Sequence, residues 1–126
     1  MTKIYLAGRI QNNPEKHIWR EEAKKVFGKR NCIDPTNKQY DKKPSYKLVK
    51  QDLELIDKSD ILVVYYDKPS VGTSMEMFYA KHNLKKPVVL VTKKKDLSPW
   101  LYYHSSVICN NLVDAKKIIN QLGYKI

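Results

Sequence analysis

Two carboxylates in this sequence stand beside apolar residues, where an ionised side chain is costly unless it has a partner or a task. Glu76 lies in the run Gly72-Thr73-Ser74-Met75-Glu76-Met77-Phe78-Tyr79-Ala80. The spacing predicts a helix over about 73–83, with Glu76 in its first turn and Ala80 on the same face. Free amides and the helix dipole keep a first-turn carboxylate ionised, and apolar neighbours strip water from it. Those are the conditions of a nucleophile, although an ordinary glutamate at a helix start fits the same position. Asp52 falls four residues after Leu48 and four before Ile56. It therefore sits in or beside the buried stripe of its predicted helix, as a functional acid or as a cap on a nearby loop. Ser70-Val71-Gly72-Thr73-Ser74 leads into the helix of Glu76, and hydroxyls and unpaired amides there suit an anion. Arg9 is the cation that could add to it.

The elements that must place these groups alternate along the chain. Residues 3–8 read as a buried strand, and 31–33, 61–66, 87–91 and 107–109 as four more. Helices are expected from Asn13 as cap and Pro14 as first residue through Phe27, then over about 45–58, 73–83, 98–104 and 114–122. Strands apolar on both faces, alternating with amphipathic helices, give an α/β fold: a small doubly wound, Rossmann-like parallel sheet of five strands with helices on both faces. Ligands of such a sheet lie at the carboxyl ends of its strands. Three loops gather there: Gly8-Arg9-Ile10-Gln11, Asp34-Pro35-Thr36 and residues 67–72. The polar, aperiodic stretch 36–44 reads as a functional loop.

The chain of 126 residues is long enough for one core and is read as a single domain, 1–126. No apolar run approaches the roughly 20 residues of a membrane span, and the first residues do not form a signal peptide, so a cytoplasmic location is expected. Cys32 and Cys109 lack metal-ligand spacing and read as buried thiols, so no zinc site is expected. The net charge is +11, and 21 of the 24 basic residues are lysines scattered through helices and loops. That pattern fits solubility and attraction of phosphates better than a nucleic-acid surface. His17, His82 and His104 lie far apart and read as non-catalytic, Asn110 and Asn111 as turn residues, and Trp19 as core.

Taken together, Ile4-Tyr5-Leu6-Ala7-Gly8, Gln51-Asp52-Leu53-Glu54-Leu55-Ile56 followed by Ser59-Asp60, and Pro69-Ser70-Val71-Gly72-Thr73-Ser74-Met75-Glu76 resemble the nucleoside 2-deoxyribosyltransferase-like family. That family includes deoxyribosyltransferases and nucleoside 5'-monophosphate N-glycosidases. The resemblance runs from Lys3 to about Leu101. It implies that Glu76 attacks the anomeric carbon, that Asp52 contacts the base or assists its departure, and that Tyr5 holds the Glu76 carboxylate. It implies substrate contacts from Gly8, Arg9, Ile10, Ser70, Gly72 and Met75. Transferases of the family usually carry an aspartate six residues before the nucleophile, whereas Ser70 stands there, as in the monophosphate N-glycosidases. The segment Asp96-Leu97-Ser98-Pro99-Trp100-Leu101 resembles one that a neighbouring subunit lends to the site. Ser98 is then a phosphate-binding hydroxyl and the protein at least a dimer, with Trp100, Tyr102 and Tyr103 suited to the subunit contact.

The expected reaction cleaves the N-glycosidic bond of a nucleoside or nucleoside 5'-monophosphate through a glycosyl-Glu76 ester resolved by water. No metal or cofactor is called for. Three other readings stay open. A deoxyribosyltransferase would pass the sugar to a second base. A non-catalytic module would bind nucleotide or nucleic acid with steep salt dependence. A flavodoxin-like regulator would share the fold without needing Asp52 and Glu76 at one sheet edge.

Overall fold

The computed structural model describes residues 1–37 and 46–126. Strand β1 (Ile4–Gly8) is buried along its whole length, as are the first four residues of β3 (Ile61–Tyr65) and all of β4 (Val88–Val91). The short strands β2 (Cys32–Ile33) and β5 (Val107–Cys109) form the edges. The order is β2-β1-β3-β4-β5 and every pairing is parallel. Chain order reverses between β1 and β3, which makes the carboxyl ends of those two strands the ligand crevice of this architecture.

Helices cover both faces, as continuous apolar strands require. Alternate residues of a strand point to opposite sides. Ile4, Leu6, Ile61 and Val63 pack with α1 (Ile18–Phe27) and α5 (Leu112–Gln121). Tyr5, Ala7, Leu62 and Val64 pack against α2 (Tyr46–Asp57), α3 (Val71–Phe78) and α4 (Pro99–His104). Among the described residues, no helix is long and apolar enough to cross a membrane.

Several boundaries differ from the sequence reading, each through a local side-chain hydrogen bond. α1 starts at Ile18 rather than at Pro14. The Asn13 side chain accepts from the Glu15 amide at 3.1 Å, an Asx turn that holds residues 13–17 in turns before the helix begins. α3 starts at Val71 because Ser70 caps it, its hydroxyl accepting from the Thr73 amide. The helix then widens into a π turn over Tyr79–Asn83. α5 starts at Leu112, where Asn111 accepts from the Asp114 amide at 2.8 Å, so Asn111 is a helix cap. The loop expected over 36–44 falls from residue 38 onward outside the described residues, as does the start of α2 expected at residue 45.

Candidate active site

Tyr5 and Glu76 meet on the face of the sheet covered by α2, α3 and α4. Tyr5 is fully buried in β1. On α3 and the π turn that continues it, Thr73, Met77 and Ala80 are buried, and Glu76 shares their inward stripe. The Tyr5 hydroxyl donates to Oε2 of Glu76, and the carboxylate is half-buried. Glu76 stands five residues after Val71, in the second turn of α3. The expectation of a first-turn carboxylate held by free amides is therefore corrected. A buried phenol supplies the hydrogen bond instead. Asp52 is half-buried on α2, whose Leu53 and Ile56 pack in the same cluster as Tyr5, Met77 and Ala80. Two bridges set α2 against the segment after Glu76. The Tyr79 hydroxyl donates to Asp57 at 2.6 Å, and Lys86 Nζ donates to the Ile56 and Asp57 carbonyls at 2.9 and 2.7 Å. The second of these closes the carboxyl end of α2 with a cation, the favoured sign there.

At the switch point, Arg9 joins the β1 loop to the β3 loop. Its Nη2 lies 2.8 Å from Asp67 Oδ2, and its Nη1 donates to the Asn12 carbonyl at 3.0 Å. The Arg9 guanidinium holds the Asp67 carboxyl below the usual carboxylate range. These two residues, Trp19 and Tyr65 line a cleft of about 80 Å³. Trp19 stacks on Tyr65 with ring centroids 5.2 Å apart, and a Cβ at Gly8 would stand 2.8 Å from the Trp19 ring. Gly8 is thus required by the tryptophan beneath it. Ile10 follows, half-buried, its carbonyl accepting from the Asn13 amide at 3.3 Å.

The other expected contacts lie around α3 and α4. Ser70 accepts from the Thr73 amide at 3.4 Å and so keeps its own proton for another acceptor. Nothing stands within 4 Å of where a Gly72 side chain would begin, which leaves the first turn of α3 open. Met75 belongs to the outward stripe of α3 with Val71 and Phe78, all exposed. Ser98 is exposed and caps α4, accepting from the Trp100 amide at 3.2 Å. A cavity of about 360 Å³ separates α3 from α4, with Ser74, Phe78, Ser98, Trp100 and His104 in its wall. Met77 also lines it, whereas Glu76 and Tyr5 do not.

Sequence reasoning passed over Arg20 and paired Asp34 with nothing. Arg20 is completely buried. It donates to the Leu6, Gly8 and Lys16 carbonyls, and its Nε lies 3.7 Å from Asp34 Oδ1. The visible signal was its spacing to Ala23 and Phe27, which puts a cation on the apolar stripe of α1. Among the described residues, no group of three metal-ligating side chains gathers.

Against this geometry, the family model for nucleoside 2-deoxyribosyltransferases matches residues 4–121. No protein with a curated description matches the chain. The CMP N-glycosidase BcmB of Clostridium botulinum superposes with a TM-score of 0.61 at 16% identity, covering 94% of this chain and 99% of that one. A 2-deoxyribosyltransferase of Leishmania mexicana gives 0.62 at 17% identity, over 83% of this chain and 73% of that one. These likenesses share the fold, while the family match takes in the strand, loop and helices carrying Tyr5, Gly8, Asp52, Ser70 and Glu76. The chain is an enzyme of the nucleoside 2-deoxyribosyltransferase family.

Proposed function

We propose that this single-domain enzyme hydrolyses the N-glycosidic bond of a (deoxy)nucleoside 5'-monophosphate or nucleoside. The observation that carries the reading is the half-buried Glu76 carboxylate held by the buried Tyr5 hydroxyl. One Glu76 oxygen bonds to the anomeric carbon as the carbon–nitrogen bond to the base breaks, through an oxocarbenium-like transition state. The departing base takes a proton from Asp52, directly or through water. Water then adds to the anomeric carbon of the glycosyl ester as the ester bond breaks; its proton returns to Asp52 and Glu76 is released as a carboxylate. Gly8, Arg9, Ile10 and Met75 contact the substrate. The Ser70 hydroxyl and the open first turn at Gly72 receive its phosphate, with positive charge at the helix start. Likeness to a CMP N-glycosidase supports hydrolysis of a monophosphate. Likeness to a 2-deoxyribosyltransferase supports the second reading, in which another base takes the sugar.

Nucleosides and 5'-monophosphates, each incubated with and without a free acceptor base, test this by chromatography of the products. Base release that needs no acceptor is expected, and efficient exchange in its place would make the chain a transferase. Ser70→Asp is expected to cut kcat/KM on monophosphates by about 100-fold, the scale of a lost charge-assisted phosphate contact plus a repulsion. Its effect on nucleosides should be far smaller, and equal losses on both would remove the phosphate from this position.

The protein acts as a dimer in this reading, each Ser98 serving the neighbouring site. The exposed Phe78 and Trp100 at the cavity between α3 and α4 support it, with the exposed Val71 and Met75 on the outward stripe of α3 and Tyr103 on α4, apolar surface of the kind that marks an interface. Trp100→Glu is expected to give a folded monomer by sedimentation. Mixed Glu76→Ala and Ser98→Ala chains should recover activity that neither has alone. An unchanged sedimentation coefficient with Trp100→Glu would show that this face is not the subunit contact.

A further inference from the structure

We infer that Arg20 is a positioning residue for the substrate loop, standing in for the strand that is missing beside the end of β1. The inference rests on the proposed role of Gly8, Arg9 and Ile10 in holding substrate.

The argument begins with strand parity. The Lys3 carbonyl accepts from the Asp60 and Ile61 amides, so odd-numbered carbonyls of this segment point toward β3. Carbonyls alternate along a strand, and those of Leu6 and Gly8 therefore point the other way, toward β2. But β2 pairs only with Ile4 and Tyr5 and ends at Ile33. Beyond that point β1 presents an unpaired edge inside the protein, where bare carbonyls are costly. The Arg20 guanidinium occupies the gap. Its Nη2 donates to Leu6 and Gly8 at 3.2 and 3.1 Å, its Nε to Leu6 at 3.3 Å, and its Nη1 to Lys16 at 2.8 Å. A planar fork of five N–H groups serves both edge carbonyls, the Lys16 carbonyl and the side facing Asp34 at once, a spread that the three donors of an ammonium on one nitrogen do not match.

The neighbouring residue completes the fixture. The Trp19 ring leaves no room for a Cβ at Gly8, and the Arg20 guanidinium carbon sits 4.7 Å from that ring's centre. Two consecutive residues of α1 therefore hold the end of β1, one by its carbonyl and one by its Cα. Because a peptide unit is planar, fixing the Gly8 carbonyl fixes the plane that continues into Arg9 and the direction in which Ile10 follows. Asp34 extends the fixture to the loop after β2. It lies 3.7 Å from Arg20 Nε and 2.8 Å from Lys24 Nζ. A buried ion pair adds little net stability over well-packed apolar residues, so what sets this one apart is geometry at the mouth of the crevice.

Arg20→Lys keeps the charge but loses the fork that serves Leu6, Gly8 and Lys16 together, and Arg20→Gln keeps a short donor without the charge. Both are made, and each is followed by thermal melting, steady-state kinetics and amide exchange. Cooperative melting, kcat within about threefold of wild type and KM raised about tenfold are expected, the pattern of weakened binding with intact chemistry. Amides of residues 8–10 should exchange faster while those of β4 stay protected. Unchanged KM with unchanged exchange would overturn the assignment. So would loss of kcat and KM in step with the melt, or failure of both variants to fold, since Arg20 would then be a residue of the core alone. Should wild type release no base from any substrate, the proposed function falls. Exchange at residues 8–10 then still decides for or against Arg20.

Discussion

Glu76→Gln is expected to abolish base release, lowering kcat by about a thousandfold or more, the usual scale for loss of a covalent nucleophile. Gln is the cleaner of two variants for a reason visible at Tyr5. The glutamine amide oxygen still accepts from the Tyr5 hydroxyl, which comes from a fully buried residue of β1. Its melting temperature should therefore stay near that of wild type. Glu76→Ala leaves the hydroxyl without that acceptor, which costs about 1–3 kcal/mol. The two variants thus separate chemistry from packing, with equal loss of turnover and unequal loss of stability. Intact-protein mass spectrometry of wild type with a slow substrate should show one added sugar, located on the peptide holding Glu76. Turnover by Glu76→Gln at anything near the wild-type rate would remove the carboxylate from the mechanism.

Legibility in the sequence followed the range of the interactions. β1, β3 and β4 were plain because a strand buried on both faces must be continuously apolar, and Ile61-Leu62-Val63-Val64 cannot be mistaken for a surface. Helix starts were less plain, since several residues compete to cap. Asn13 and Pro14 have the right types, yet the Asn13 side chain closes its own turn. Ser70 captured the start of α3 from Gly72, two residues on. The Glu76 stripe was readable because Thr73, Met77 and Ala80 repeat at helical spacing. The partner of Glu76 was not, because Tyr5 lies 71 residues away and periodicity says nothing across that distance. It entered only through resemblance. The clasp of Arg9 on Asp67, 58 residues apart, was hidden in the same way. Arg20 was hidden differently. A cation on an apolar stripe is usually taken as snorkelling to water, and only the early end of β2 shows why this one stays inside.

Asp34→Ala is expected to cause the largest loss of stability. The Asp34 side chain is 2% exposed and the Arg20 side chain 0%. Arginine cannot shed its proton, so removing the carboxylate strands a buried cation and leaves Lys24 without its closer partner. Breaking such a pair costs about 3–5 kcal/mol, which for a chain of this length corresponds to a melting point lower by roughly 10–20 °C. The pH dependence follows from the same contacts. Burial by itself would raise the Asp34 carboxyl, but hydrogen bonds from Lys24 and from the Thr36 hydroxyl and amide outweigh it and hold the carboxyl below the ordinary range. A group depressed in the folded state contributes its full stability above its unfolded pKa, about 3.9 for aspartate, and loses it as pH falls through the lower folded value. Wild type should therefore lose part of its advantage over Asp34→Ala below about pH 4, and the two melting curves should converge there. Asp34→Leu combined with Arg20→Met removes both charges but also bares the Leu6 and Gly8 carbonyls, so it should recover only the part of the loss that came from the stranded cation. Melting of Asp34→Ala within about 1 °C of wild type at pH 7, on a scale where 1 kcal/mol is worth several degrees, would mean that the backbone carbonyls alone satisfy Arg20.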